Sequence, residues 1–433
     1  MKKLVALVMV VVTLFGTIAC TSPATPTPTV PPVTADVLQS EKPRVTSPAA
    51  SQADLVALAD GNRAFAFDLY QTLKDTEGNL FFSPYSISLA LAMTYGGARN
   101  NTETQMAGAL SFLLTPERLH AAFNAVDLAL ASRGQGAQGA DGEGFRLNIA
   151  NDIWGQQDYE FLPAYLDLLA QNYGAGLRVL DFAANPEQAR VTINDQVSKD
   201  TEEKITELIP QGVIDELTRL VLTNTIYFNA AWQYPFEKTV TAPGDFFLLN
   251  VSKISVPMMR QQESFGYLKG DGYQVVELPY DGRELSMLIL LPDQGQFDAF
   301  ESQLSGQLLA DIISGVQNKE VALSMPKFTY RSSFGLKEAL TSLGMTDAFT
   351  PDVADFSGMD GTKNLYIQDV VHQAFVAVDE AGTEAAAATA VVVGVTSAPS
   401  EIITVDVNRP FVFVIRDLGT GTVLFVGRVV NPG

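Results

Sequence analysis

Two histidines and one cysteine limit the catalytic chemistry that this sequence of 433 residues could carry. His120 and His372 are the two candidates for the general base of a Ser/His/Asp triad, and Cys20 is the one thiol. A single cysteine forms neither an intramolecular disulfide nor a cysteine-based zinc site, so a metal site would have to rest mainly on carboxylates. The sequence contains no G-x-S-x-G, Walker or H-E-x-x-H motif. We therefore expect a protein that is not an enzyme and that holds no metal or cofactor.

His372 lies in the stretch "IQDVVHQAFVAVDE", whose composition and alternation predict a β-strand. Successive side chains of a strand point to opposite faces, so Val370, His372, Ala374, Val376 and Val378 share one face. A lone histidine on an apolar face is usually a hydrogen-bonded core residue. We expect this role for His372 in preference to that of a general base.

The segment after this strand, residues 379–400, reads "DEAGTEAAAATAVVVGVTSAPS". Its alanines favour a helix and its valines favour a strand, but neither an apolar stripe nor a strict alternation selects a face to bury. Predicted strands flank it on both sides, the second within "EIITVDVNRPFVFVIRD". The pattern predicts an exposed loop that commits to neither structure.

The first 20 residues, "MKKLVALVMVVVTLFGTIAC", have the lysines, the apolar run and the small residues of an export signal. The end of this segment resembles a bacterial lipoprotein signal, in which Cys20 becomes the acylated first residue of the mature chain. Thr17 departs from that motif, which usually has Leu, Val or Ile there, so an ordinary cleaved signal and an uncleaved anchor stay open as alternatives. We expect an exported protein that is lipid-anchored on the cell surface through Cys20, or otherwise secreted.

Residues 21–53 are dense in Thr, Pro, Ser and Ala and have almost no large apolar side chain. Such a segment cannot bury enough surface to offset its ordering entropy, so it predicts a disordered stalk before a folded domain at residues 54–433. Lys and Arg total 28 against 49 Asp and Glu, which gives a formal charge of −21. This excess of negative charge argues against nucleic acid or an anionic membrane surface as the main partner of the folded part.

Helical patterns dominate the first third of the domain and strand patterns dominate its last half. "ADLVALADGNRAFAFDLYQTLKD" and "PERLHAAFNAVDLALAS" carry apolar residues at helical spacing, and "SPYSISLALAMTYGGA" begins with the Ser-Pro pair of a helix start. "RLNIANDIWG" and "RLVLTNTIYFNAAW" predict strands, the second of them central in its sheet. "YQVVELPYDGRELSMLILLPD" and "FVFVIRDLGTGTVLFVGRVV" predict hairpins. The pattern indicates an α+β domain with large mixed or antiparallel sheets.

These motifs, in this order, resemble those of the serpins, a family of serine protease inhibitors, over residues 54–433. "NLFFSPYSISLALAMTYGGARNNTETQM" is similar to their second helix and the segment after it, and "TNTIYFNAAWQYPF" to the central strand of their main sheet. "VALSMPKFTYRSSFGLKEALTSLGMTDAF" and "VNRPFVFVIRDLGTGTVLFVGRVVNP" resemble their later strands and helix. The resemblance implies an α+β fold of three β-sheets and about nine helices, with an exposed reactive-centre loop at about residues 380–400.

"DEAGTEAAAATA" is close to the hinge of inhibitory serpins, whose cleaved loop inserts into the main sheet as a new strand. In an inserted strand Thr383, Ala385 and Ala387 would share the inward face and Glu384 would point to the other. The resemblance assigns the hinge to Glu380, Gly382, Thr383, Glu384, Ala385, Ala386, Ala387 and Ala388. It implies an irreversible suicide-substrate inhibitor, whose partner is a serine protease held in a covalent acyl complex.

In most family members the scissile bond comes after the residue fourteen places beyond the hinge glycine, which here is Gly382. That spacing gives the bond between Thr396 and Ser397, and a loop shifted by one would give Val395–Thr396. The residues just before the bond, "VGV", are small or β-branched and suit a shallow specificity pocket. We therefore expect an elastase-like or subtilisin-like target.

Five further residues match positions at which the main sheet of the family opens. The polar cluster under the middle of the sheet is assigned to Ser83, Ser86, Asn224 and His372. The tryptophan at the top of the opening is assigned to Trp232.

A non-inhibitory serpin, acting as a binding protein or a passive protease substrate, is the alternative. Such members usually carry a charged or bulky residue where this chain has Thr383 and the alanines after it. The sequence therefore favours the inhibitor. We expect it to act as a monomer and to reach a membrane only through the lipid on Cys20.

Overall fold

The computed structural model describes residues 33–383 and 402–433. Cys20, Glu384, the four alanines of the hinge and the bond between Thr396 and Ser397 therefore lie outside the described residues. In the described ranges no helix is both long and apolar enough to cross a lipid bilayer.

Ten α-helices and sixteen strands make up the described part of the chain. The helices are α1 (Gln52–Leu73), α2 (Pro84–Tyr95), α3 (Asn100–Ala109), α4 (Pro116–Ala131), α5 (Pro163–Tyr173), α6 (Pro186–Asp200), α7 (Phe297–Glu301), α8 (Gly306–Gly315), α9 (Lys337–Ser342) and α10 (Ser357–Asp360). The strands are β1 (Asp36–Leu38), β2 (Leu80–Phe82), β3 (Arg146–Gln156), β4 (Leu177–Leu180), β5 (Leu220–Ala231), β6 (Ala242–Phe247), β7 (Lys253–Lys269), β8 (Tyr273–Pro279), β9 (Leu285–Pro292), β10 (Gln317–Pro326), β11 (Phe328–Gly335), β12 (Asp369–Val378), β13 (Gly382–Thr383), β14 (Ile403–Asp406), β15 (Phe411–Asp417) and β16 (Val423–Val429).

Hydrogen bonds join the described strands into two sheets. The main sheet has seven strands in the order β1-β4-β3-β5-β13-β12-β11. The second has the order β14-β10-β7-β8-β9-β15-β16-β2, with β6 paired to β7. The three sheets implied by the resemblance become two hydrogen-bonded units here because β7 is long. Its residues 253–258 pair with β6, residues 258–267 with β10 and residues 266–269 with β8, so the hydrogen bonding is continuous.

Helices α1 and α2 begin where the sequence provides caps. Ser51 and Asp54 form a reciprocal capping box at the start of α1. Ser83 caps α2, with its side chain accepting a hydrogen bond from the backbone N–H of Ser86, and Pro84 stands at the first helical position. These caps fix the start of α2 under the main sheet, where Ser83 and Ser86 belong to the candidate site.

Opposite faces of the main sheet bury two separate cores, because neighbouring side chains of a strand point to opposite sides. Leu222 of β5 and Val370 of β12 belong to the larger core, which continues into the second sheet. Val221 and Val371, the adjacent residues, belong to a smaller core beneath α6. β5 is buried over its whole length, which agrees with its predicted central position.

Residues 33–53 differ from the predicted disordered stalk, because much of this segment is attached to the domain. β1 pairs antiparallel with β4 and forms the outermost strand of the main sheet. Arg44 forms an ion pair with Asp127 of α4 at 2.6 Å, and the backbone N–H of Val45 donates to the carbonyl of Gln171 at 2.9 Å. The attachment uses backbone pairing and polar contacts, which a count of apolar residues does not register.

Candidate functional site at the hinge of the main sheet

The chain enters the middle of the main sheet through a tight hairpin, residues 378–383. The backbone N–H of Asp379 donates to the carbonyl of Gly382 at 3.0 Å, which closes the turn between β12 and β13. Thr383 then lies opposite both the last residue of β12 and Ala230 of β5. The two residues of β13 therefore form an antiparallel strand between β5 and β12.

β5 and β12 are direct neighbours away from this end. Residues 369–374 of β12 pair in parallel with residues 221–226 of β5. The two strands are separated by β13 only where the hinge returns into the sheet. The main sheet is thus closed along much of its length and parted at one end.

Gly382 is required by the close approach of β13 to β5. A Cβ atom at this position would lie 2.1 Å from the carbonyl oxygen of Ala230 and 2.9 Å from the Cβ of Ala140. The first of these distances is with a backbone atom, so no side-chain rotation relieves it. The hinge glycine is therefore explained by packing at this position.

Thr383 turns its side chain into the protein, where 2% of the residue is exposed. Its hydroxyl lies 2.7 Å from the hydroxyl of Tyr280. The ring of Tyr280 stacks on Trp232, which in turn donates its indole N–H to the carbonyl of Asp379 at 3.0 Å. Trp232 thus lies beside the hinge hairpin, the place that the sequence assigned to it.

Glu380 connects the hairpin to two other elements. Its carboxylate accepts a hydrogen bond from Lys327 at 2.6 Å and another from the hydroxyl of Thr241 at 2.8 Å. Burial alone would raise the pKa of this carboxyl, but the hydrogen bonds from Lys327 and Thr241 outweigh burial and hold the pKa below its usual range. The hairpin is therefore held by an ionised glutamate that is almost fully buried.

The polar cluster predicted under the sheet is present as one hydrogen-bonded network. The amide nitrogen of Asn224 donates to the hydroxyl of Ser86 at 2.5 Å and also to the side-chain oxygen of Asn151. Asn224 and Asn151 lie opposite each other on β5 and β3. The network thus links α2, β3, β5 and β12, through His372, across the line along which β5 and β12 meet.

His372 is fully buried in this network and its partners determine its tautomer. The backbone N–H of Ser83 donates to Nε2 at 3.1 Å, so Nε2 carries the lone pair. Nδ1 therefore carries the proton and donates to the side-chain oxygen of Asn224 at 2.5 Å. Burial lowers the pKa of His372 to about 3, so the ring is neutral at ordinary pH. Its partners are a backbone N–H and an amide, which is the role of a structural core histidine.

His120, the other candidate base, is also buried. Its Nδ1 lies 2.6 Å from the hydroxyl of Tyr173. Burial lowers the pKa of His120 to about 4. It lies on α4, apart from the cluster around His372.

Helix α6 covers the line between β5 and β12 on the other face of the sheet. Ile193 and Val197 of α6 share the smaller core with Val221 of β5 and Val371 of β12. A strand that entered between β5 and β12 would move these two valines apart. Insertion of such a strand would therefore require α6 to move.

Four residues of this site were not assigned from the sequence: Asn151, Thr241, Tyr280 and Lys327. Asn151 lies in a predicted strand next to several polar residues, so its direction was not evident. Tyr280 lies within a predicted hairpin motif, and Lys327 lies within a motif that was quoted only for its family resemblance. Their partners are far away in sequence, and no local pattern signals them.

The comparison with protein families gives a match to the serpins, described as serine protease inhibitors, over residues 60–432. Human leukocyte elastase inhibitor is 38% identical over 390 residues, covering 87% of this chain and 99% of that protein. The native crystal structure of tengpin, a thermophilic serpin, matches with a TM-score of 0.80 at 30% identity, covering 92% of this chain and 100% of tengpin. Human thyroxine-binding globulin complexed with thyroxine matches with a TM-score of 0.78 at 29% identity, covering 88% of this chain and 99% of that one.

Proposed function

The chain belongs to the serpin family, and we propose that it is an irreversible inhibitor that traps a serine endopeptidase by inserting its own cleaved loop into the main sheet. The observation that carries this proposal is the position of β13. Gly382 and Thr383 already form a short strand between β5 and β12. A loop cut beyond Thr383 could extend this strand without forming a new starting point.

The register of β13 defines how far the insertion would reach. Gly382 lies opposite Ala231, and each further residue of the loop would lie opposite the preceding residue of β5. The other end of β5, Leu220, would then be reached at Val393. At about 3.3 Å per residue, the inserted strand would extend roughly 35 Å along the sheet from Gly382 to Val393.

The chemical step belongs to the protease. Its serine attacks the carbonyl carbon of Thr396, the bond to the nitrogen of Ser397 breaks, and the protease's own base transfers the proton to that leaving nitrogen. The acyl-enzyme is normally hydrolysed, but insertion would drag the protease away while it is still attached to Thr396. A displacement of ~1 Å already impairs a catalytic geometry, so pressing the protease against the far end of the sheet would stop hydrolysis.

The expected target is an elastase-like or subtilisin-like serine protease. The residues before the bond are Val393, Gly394, Val395 and Thr396. Small and β-branched side chains suit a shallow pocket better than a deep one lined by a carboxylate. A bond at Val395–Thr396 would suit the same class of protease.

A non-inhibitory role is the second candidate, because the same fold occurs in a thyroxine-binding globulin. The hinge distinguishes the two roles. Thr383 is small enough to be buried beside Tyr280, and alanines occupy positions 385–388. A charged or bulky side chain at these positions would have to be forced into the sheet, so the chain is better suited to insertion.

The proposed setting is the cell exterior, with the protein a monomer attached through a lipid on Cys20. The support is the export signal and the position of the cysteine at its end. Labelling with a radioactive fatty acid tests this, since Cys20→Ser would abolish the label.

A panel of serine proteases tests the proposed function. A trapped protease remains joined to residues up to Thr396 by an ester bond, so the complex survives denaturing electrophoresis. Mass spectrometry of the released peptide should show residues 397–433. A peptide that begins at Thr396 moves the bond by one, and the absence of a covalent complex with every serine protease tried refutes trapping.

A further inference from the structure

Tyr280 lies directly after β8, and neighbouring aromatic rings hold its side chain. Its ring is fully buried and stacks on Trp232, with centroids 4.7 Å apart and an interplanar angle of 13°. Phe228 of β5 packs edge-on against it, at 5.1 Å and 87°. Aromatic contacts of both kinds favour a defined geometry, so the position of the Tyr280 hydroxyl is set by the frame of the sheet.

That hydroxyl makes one hydrogen bond in the part of the chain that the structure describes, to the side chain of Thr383 at 2.7 Å. Both residues are buried, with 0% of Tyr280 and 2% of Thr383 exposed. A buried hydroxyl without a partner loses the hydration that it has in water. Withdrawal of Thr383 from the sheet would therefore leave the Tyr280 hydroxyl without its partner.

The contact is important because β13 is so short. It consists of Gly382 and Thr383, of which Gly382 has no side chain to pack. Thr383 is thus the one residue of β13 whose side chain can anchor the strand in the core. Its hydroxyl provides that anchor by bonding Tyr280.

We propose that Tyr280 is a positioning residue that holds the hinge in the main sheet before cleavage, so that insertion starts from a formed nucleus. This inference rests on the proposed inhibitory function. After acylation, insertion of the loop competes with hydrolysis of the acyl-enzyme. The first residues of the loop to enter the sheet lose their conformational freedom before hydrogen bonds to β5 and β12 compensate for that loss. With Thr383 already held, that early step is complete when the bond is cut.

One buried hydrogen bond sets the size of the effect. A net contribution of about 1 kcal/mol corresponds to about a fivefold change in the ratio of held to released hinge. Tyr280→Phe and Thr383→Val each remove one hydroxyl and keep the shape of the side chain nearly unchanged. The double variant removes the same single contact, so its effect on hinge release should be smaller than the sum of the two single effects.

The experiment has two readouts on the full mature chain. Hydrogen exchange measured by mass spectrometry reports how well the amides of residues 379–383 are protected in the uncleaved protein. The number of inhibitor molecules consumed per protease molecule trapped, with an elastase-like protease, reports the competition between insertion and hydrolysis. Tyr165→Phe is the matched control, because Tyr165 is also a buried tyrosine and its hydroxyl donates to the carbonyl of Met93 at 3.3 Å, between helices α5 and α2.

We expect Tyr280→Phe and Thr383→Val to speed exchange at the hinge about fivefold and to raise the inhibitor consumed per trapped protease. Tyr165→Phe should leave both readouts unchanged even where it lowers the melting temperature. Unchanged exchange and unchanged consumption in both single variants would overturn the inference. If the wild-type chain forms no covalent complex at all, the inhibitory function fails, whereas the exchange measurement still decides whether Tyr280 holds the hinge.

Discussion

Replacing Thr383 by arginine tests the assignment of the inward-facing positions of the hinge. Thr383 is 2% exposed and its hydroxyl bonds Tyr280, so the site has no room or partner for a guanidinium group. An uncompensated buried charge costs on the order of 3–5 kcal/mol, and the lost hydrogen bond adds about 1 kcal/mol. A cost of that size reduces the population of the inserted hinge by at least about a hundredfold.

The assay follows what happens after cleavage of the bond between Thr396 and Ser397. Thr383→Arg should still be cut by the target protease, because the substitution is far from Thr396 in sequence, but the acyl-enzyme should be hydrolysed before the loop inserts. Denaturing gels should then show cleaved inhibitor and free protease without the covalent band.

Glu384→Arg is the matched control, since it places the same side chain one residue further along the strand. Alternation assigns position 384 to the face opposite to that of Tyr280 on insertion, and that position already holds a charged glutamate, so this variant should keep the covalent band. Undiminished trapping by Thr383→Arg, or loss of trapping by both variants, would refute the assignment of faces.

Three further predictions concern stability. Glu380→Gln should lower the melting temperature at neutral pH, because the folded pKa of Glu380 is lowered and its ionised form stabilises the fold. The difference from wild type should disappear as the pH falls through that folded pKa, which calorimetry at a series of pH values can show. The folded pKa of His372 is lowered to about 3, and its unfolded pKa is about 6.5. The stability that its neutral form contributes is therefore fully present above about pH 6.5 and is lost progressively as the pH falls towards 3. His372→Asn should flatten this part of the wild-type curve of stability against pH. Arg44→Ala breaks the half-buried pair with Asp127 and should lower the melting temperature by about 1–2 °C, whereas an unchanged value would show that the attachment of residues 33–53 depends on other contacts.

The sequence predicted the fold class and the elements whose patterns are local. The strand around His372 has the predicted face, because strict alternation of apolar side chains leaves no second choice. β5 is central as predicted, because a strand with few polar positions is buried on both faces. The glycine and threonine that the family motif assigns to the hinge pack closely against Ala230 and Tyr280.

Contacts between distant parts of the chain could not be predicted in the same way. The bond between Lys327 and Glu380 joins a strand connection to the hinge, and neither residue has a local pattern that indicates the other. The attachment of residues 33–53 was missed for a different reason. A low content of large apolar residues predicts disorder when burial is the main stabilising term, but Arg44 and Val45 attach this segment by polar contacts.

The measurement that tests the central claim most directly is the melting temperature before and after cleavage of the loop. About ten residues would enter between β5 and β12 and form ladders on both sides, replacing the direct pairs at residues 369–374. At about 1 kcal/mol for each net hydrogen bond, together with apolar burial, the gain is of order 10 kcal/mol, which is comparable with the whole stability of an ordinary domain. Limited proteolysis within residues 385–396 should therefore raise the melting temperature by tens of degrees, and an unchanged or lower melting temperature of the cleaved chain would contradict loop insertion.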